Sequence, residues 1–267
     1  MSHTEGHARR RAGLTLLGIV GAVAAVIAAL AAIVIAHAAT GTTSAPVAAG
    51  TAPAAPGGAG GEAATENELA ARPMLQLPAQ AAQPQVMTTQ SAGAAITLPR
   101  PTLIAGRWVP DGFPDTPEGA LAQLKALNEN GMSGGDPQVY ARAYRDLSLP
   151  GAPDPGSTGL SAVLRSFRSH AGLAATGTMA GLEVSYQVTH GLVKGRADAG
   201  RYTVVCVLGE LSVGYQGRTA SAGVGDCQAM RWTVTGWRIS PGALAAPASS
   251  AWPGSADAVK AGYRELS

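Results

Sequence analysis

The chain has 267 residues, of which 46% are hydrophobic, 4% aromatic and 13% charged. The charged share is about half the roughly 25% of ordinary soluble domains, and a formal net charge of +2 gives no broad basic surface, which weighs against a dedicated nucleic-acid binder. Two cysteines exclude both a disulfide-rich scaffold and a zinc site made of cysteine alone.

Residues 1–11 end in Arg9, Arg10 and Arg11, and an uncharged run rich in Leu, Ile, Val and Ala follows from Ala12 to Ala36. A bilayer core of about 30 Å needs about 20 apolar helical residues, so 12–36 is long enough to span it with some tilt. Cations stay on the cytoplasmic side, and His37–Gly61 carries no Asp, Glu, Lys or Arg. The expectation is a single-pass cell-membrane anchor, with residues 1–11 a cytoplasmic tail and the C-terminal domain outside. The competing reading is a cleaved signal peptide, since Ala36-His37-Ala38 fits a small-x-small cleavage pattern, although signal cores run only about 7–15 residues. Residues 37–106, rich in Ala, Gly and Pro, read as a tether that buries too little apolar surface to fold.

An extracytoplasmic α+β domain is expected over 107–242. Trp108-Val109-Pro110-Asp111-Gly112-Phe113-Pro114 suits an extended lead-in packed on that domain. Thr116-Pro117-Glu118 then opens a helix: a hydroxyl to accept orphan N–H groups, Pro at the first position, and an acid at the positive dipole end. Leu121, Leu124 and Leu127 keep helical spacing up to Gly131. Asp136-Pro137 repeats the start, and Val139, Tyr140, Ala143, Tyr144 and Leu147 share one apolar face. Ser157 or Thr158 opens a third helix through Leu160, Val163, Leu164 and Phe167. Arg142, Arg145, Arg165 and Arg168 lie mostly off these faces and read as a solvated surface.

After Gly172 the period changes to two. Leu182, Val184, Tyr186 and Val188 alternate with polar residues, which predicts a half-buried strand, and Gly195–Gly200 predicts a turn. Tyr202–Val213 is apolar on both faces and reads as a central strand. A third strand spans about Thr219–Val234, and Thr235-Gly236 turns into a short Trp237-Arg238-Ile239. Three helices followed by three or four antiparallel strands predict an α+β fold with helices on one face of a curved sheet.

If Gln216-Gly217 is a two-residue hairpin turn, paired positions sum to 433, as Cys206 and Cys227 do. That pair falls nine steps outside the hydrogen-bonded pair Tyr215/Arg218. It is therefore a non-hydrogen-bonded pair, with Cα atoms about 4.5 Å apart, at the short end of disulfide geometry. An oxidising location would let the bond persist. The alternative is two free thiols, with a bulge at Gly223 or Gly225 shifting the register.

No catalytic, cofactor-binding or metal-ligating residues are assigned. Gly131-Met132-Ser133-Gly134-Gly135 matches a nucleophile elbow, but it falls between two helices instead of after a strand. The five histidines lack ligand spacing, and Gly223-Val224-Gly225 is only a fragment of a phosphate loop. Asp136, Tyr140, Tyr144 and Asp146 could line a cone-shaped pocket, but Asp136 is better read as a helix cap and the tyrosines as core. In the tail, 243–267, Ser255 opens a short helix whose Val259, Tyr263 and Leu266 form one narrow stripe. Too short to persist alone, it must dock, either on its own domain or on a neighbouring subunit. In the second case Trp252, Val259 and Tyr263 are the candidate interface residues.

The order of anchor, linker, three helices and antiparallel sheet resembles the inner-membrane assembly factors of type IV secretion and their Gram-positive conjugation relatives. The strings Val109-Pro110-Asp111-Gly112-Phe113-Pro114-Asp115-Thr116-Pro117-Glu118-Gly119-Ala120 and Ala251-Trp252-Pro253-Gly254-Ser255 resemble actinobacterial membrane proteins of integrative conjugative elements. The likeness covers roughly 107–267. It implies a nuclear-transport-factor-2-like (cystatin-like) outer domain that is a non-enzymatic scaffold. Such a domain self-associates and contacts other channel subunits, with no cofactor and no direct nucleic-acid binding. Two other classes remain open: an envelope or lipid-import accessory protein of the same fold, and a pocket enzyme, which a buried pocket carboxylate would favour.

Overall fold

The structure, a computed structural model, describes residues 59–267. The expected cytoplasmic tail 1–11, the apolar run 12–36 and residues 37–58 of the expected tether lie outside the described residues. Among the described residues no helix is long and apolar enough to cross a membrane.

The helix-start chemistry read from the sequence operates locally. In α2 (Pro117–Met132) the Thr116 hydroxyl accepts from the Gly119 N–H at 3.0 Å. In α3 (Pro137–Asp146) the Asp136 carboxylate accepts from the Gln138 N–H at 2.9 Å. In α4 (Gly159–His170) Thr158 is the cap, and Ser157 lies in a 3-10 turn before it.

Among the described residues the five strands are β1 (Leu182–Ala197), β2 (Tyr202–Tyr215), β3 (Arg218–Thr233), β4 (Gly236–Ile239) and β5 (Arg264–Glu265). They form one antiparallel sheet in the order β4-β3-β2-β1-β5. Gln216 and Gly217 take positive φ values of 50° and 76°, the geometry of a two-residue hairpin turn whose twist matches its strands. From that turn the β2–β3 register runs without a shift through Tyr215/Arg218 to Cys206/Cys227 and on to Tyr202/Arg231. Gly223 and Gly225 therefore form no bulge.

Strand β1 is longer than its sequence period suggests, and the expected turn at Gly195 is a correction. The register against β2 shifts between Val188 and His190 and again between Val193 and Gly195. Each bulge moves the following side chains to the opposite face, so period-two alternation fails although the strand continues. The chain reverses later, in the 3-10 turn Asp198–Gly200. Helix α2 serves the first bulge: the Val188 N–H donates to Glu129 Oε1 at 2.9 Å, and Lys125 Nζ donates to the Val188 carbonyl at 2.8 Å.

Both faces of β2 are buried, which explains its continuous apolar run. Val205, Val207, Leu211 and Val213 face the core made with α2, α3 and α4. Tyr202, Val204, Cys206 and Leu208 face a second layer. That layer contains α1 (Ala59–Ala71), through Leu69 and Ala70, and the C-terminal segment, through Ala251, Ala258 and Tyr263.

The second layer corrects two expectations. Residues 59–106, read as part of a tether, pack on the domain: Lys194 Nζ donates to the Ala70 carbonyl at 3.0 Å, Arg231 Nη2 meets Glu66 Oε2 at 2.5 Å, and Ala81, Ala82 and Ile96 are buried. Alanine-rich sequence conceals this, because each residue buries little area and the burial is shared with the distant tail. The tail itself is not one helix. α5 (Ala256–Lys260) ends before Gly262, at φ 90°, and the chain continues as β5. β5 pairs with β1 at His190 and Gly191, and Ile96 and Leu266 form a parallel bridge. A Cβ at Gly223 or Gly225 would collide with the carbonyl of Ala251 or Ser249, so these glycines let the tail backbone cross β3 closely.

Candidate functional site

The chemistry in the interior comes from alternation along β3. Ala222, Val224 and Met230 face the helices and are buried, and the same period places Asp226 and Gln228 on that face. Asp226 and Gln228 are 4% and 2% exposed, and Asn128 of α2, against them, is 0% exposed. Asn128 Nδ2 donates to Asp226 Oδ2 at 3.0 Å, and Gln228 Nε2 donates to both carboxylate oxygens at 3.0 and 3.2 Å. Tyr144 donates its hydroxyl to Gln228 Oε1 at 3.4 Å. Tyr186 crosses β2 above Gly209, where a Cβ would lie 2.8 Å from its ring, and donates to the Val224 carbonyl at 2.7 Å.

No cation hydrogen-bonds the Asp226 carboxylate among the described residues. Burial pushes its pKa up to about 6, and the Asn128 and Gln228 amides oppose that shift. Burial and the Asp226 charge both raise the ionisation of Tyr140, Tyr144 and Tyr186 well out of the neutral range. Asp226 is thus poised to gain or lose a proton near neutrality, and the tyrosines remain hydroxyl donors. Two buried atoms of the neighbourhood, Asn128 Oδ1 and the Tyr140 hydroxyl, lack a hydrogen bond of good geometry, although Thr158 adjoins the latter.

Sequence reasoning missed Asp226, Asn128 and Gln228. The signal was the period set by Val224 and Met230, which puts an acid and an amide, Asp226 and Gln228, on the inward face of β3. The residues considered for a cone-shaped pocket separate: Tyr140 and Tyr144 point inward, while Asp136 caps α3 and accepts from the Gly177 N–H at 2.8 Å. Asp146 is exposed beside Arg142. Ser133 lies exposed in a 3-10 turn between helices. No group of three or more His, Cys, Asp or Glu among the described residues could hold a metal ion.

Arg168 is a further correction, because it is 2% exposed and not solvated. Its guanidinium donates to the carbonyls of Ala174 (2.6 Å), Gly135 (3.1 Å) and Gly177 (2.8 Å), pinning the loop after α4.

Cys206 and Cys227 form a disulfide, with Cα atoms 4.0 Å apart, inside the second layer. Of the candidate interface residues, Tyr263 is buried in its own domain and donates to the Ser249 carbonyl at 2.8 Å. Trp252 and Val259 are half-buried, and the Trp252 N–H donates to the Ala81 carbonyl at 2.6 Å. Comparison with protein-family models, with curated proteins and with solved structures finds no match to this chain.

Proposed function

We propose that this chain is a single-pass, membrane-anchored protein whose extracytoplasmic domain works through protein–protein contacts. Its role is that of a non-enzymatic scaffold subunit of a conjugative, type IV secretion-like apparatus, with a nuclear-transport-factor-2-like outer domain. The observation that carries the location is the buried Cys206–Cys227 disulfide. A stable bond of this kind belongs to an oxidising compartment, the side to which Arg9–Arg11 and the run 12–36 assign the domain. Three helices against one face of an antiparallel sheet support the family resemblance at the level of architecture. The test is crosslinking in intact membranes followed by purification of the chain. Co-purification of channel subunits, including a DNA-pumping ATPase, supports the scaffold role; recovery of lipid-transport components alone replaces it with envelope maintenance.

Asp226 favours a second reading, a small-molecule site in the helix–sheet interior. A carboxylate with a pKa of about 6 beside amide and phenol donors suits proton transfer at neutral pH. Binding of a neutral, hydrogen-bonding small molecule that is lost in Asp226→Asn, with the fold retained, would move the assignment to this reading.

A further inference from the structure

Half of the eight large hydrophobic side chains exposed among the described residues gather at one corner of the domain. Leu103, Ile104 and Trp108 are 46%, 60% and 40% exposed, and Val234 stands fully out of the β3–β4 turn. Every residue from Thr102 to Trp108 is exposed, so this loop projects from the surface. Leu103 and Asp111 exchange backbone hydrogen bonds at 3.0 and 2.9 Å, closing its base. The buried Asp111 carboxylate accepts from Arg238 at 2.9 and 3.2 Å, and Arg238 also donates to the Thr235 carbonyl at 2.6 Å. The projecting loop and the Val234 turn are thereby clamped together.

Helix α1, the first element among the described residues, packs against the same corner. Glu66 in α1 binds Arg231, three residues before Val234. The Trp232 N–H, between Arg231 and Val234, donates to the Arg201 carbonyl. Residues 37–58 separate the start of α1 from Ala36, and even fully extended they reach no more than roughly 80 Å.

We infer that Leu103, Ile104, Trp108 and Val234 form a bilayer-docking tip that seats the domain on the membrane holding residues 12–36. This rests on reading that run as an anchor. The chemistry of the tip fits the boundary between headgroups and acyl chains: branched apolar residues, a tryptophan, and no acid between Thr102 and Trp108. Arg107, half exposed and 3.4 Å from Asp111, and Arg142, 3.9 Å from the exposed Asp146 and with its guanidinium 5.2 Å from the Trp108 ring centroid, flank the tip with cations whose remaining donors can reach lipid phosphates.

The full chain reconstituted in vesicles of phosphatidylcholine and phosphatidylglycerol tests this, with phosphatidylcholine brominated on its acyl chains as the probe. Quenching of tryptophan fluorescence is expected, largely lost in Trp108→Phe and weakened in Ile104→Asp with Val234→Asp. All three positions are exposed, so these variants keep the fold. Flotation with vesicles without quenching, or quenching unchanged in Trp108→Phe, overturns the docking tip and leaves the anchor standing. Failure to float overturns both. A photo-crosslinker at residue 104 that captures a protein and no lipid in intact cells also overturns it, assigning the corner to a subunit contact.

Discussion

Asp226 sits among neutral donors, and its protonation couples directly to stability. Burial raises its pKa from 3.8 to about 6, so the folded chain keeps a proton that the unfolded chain has released over that interval. Its contribution is fully present below about pH 4 and is lost as pH rises through about 6. Two units correspond to about 3 kcal/mol. Asp226→Asn is expected to remove that decline, leaving a variant more stable than the parent at pH 8, measured by urea unfolding across pH. Arg168 shows the opposite economy, a buried cation held by carbonyls. Arg168→Ala leaves three carbonyls without their donor, and a loss of about 3 kcal/mol is expected, with faster amide exchange over residues 174–177. Unchanged unfolding would mean that water replaces the guanidinium.

The β2–β3 hairpin is where local chemistry and long-range geometry meet. A two-residue turn sets the register, the register places Cys206 opposite Cys227, and the bond closes a sequence separation of 21 residues. Replacing both cysteines by alanine is expected to cost about 3 kcal/mol in the chain-entropy account, read from equilibrium unfolding of oxidised protein. The tail is the other decisive element. Tyr263 fills the second layer and β5 joins β1, while Ile96 and Leu266 bridge. Deleting 251–267 strips the cover from Cys206, Leu208 and the strand surface around them. It is expected to lower Tm by about 10 °C or more, on the usual conversion of 2–4 °C per kcal/mol. An unchanged melting curve would remove the tail from the stability of the domain.

For the whole molecule the consequence is topological. On the proposed topology, with Arg9–Arg11 on the cytoplasmic side, a reporter fused after Ser267 is expected to be active outside the cell, and the chain to stay in the membrane through a high-salt wash. Recovery of a soluble form beginning near Ala39 would replace the anchor with a signal peptide. The folded unit it carries is larger than the stretch from 107 onward. α1 and the segment through Ile96 close the second face of the sheet, so a fragment starting at Arg107 is expected to expose Leu208 and Tyr202 and to aggregate, as size-exclusion chromatography would show.

Helix starts, the Gln216-Gly217 turn and the cysteine pairing could be read from residues alone because each depends on neighbours in the chain or on one turn. Thr116-Pro117, Asp136-Pro137 and Thr158 act on N–H groups two or three residues away, and a hairpin register propagates by counting. The Asp226 cluster, the burial of Arg168 and the second layer had no such local cause. Asn128 meets Asp226 across nearly a hundred residues, and the two bulges in β1 change which residues face inward. Leu69 and Tyr263, from opposite ends of the described chain, share one core. An alanine-rich segment becomes structure only where a distant surface is shaped to receive it, because its burial energy arises from the contact and not from the segment.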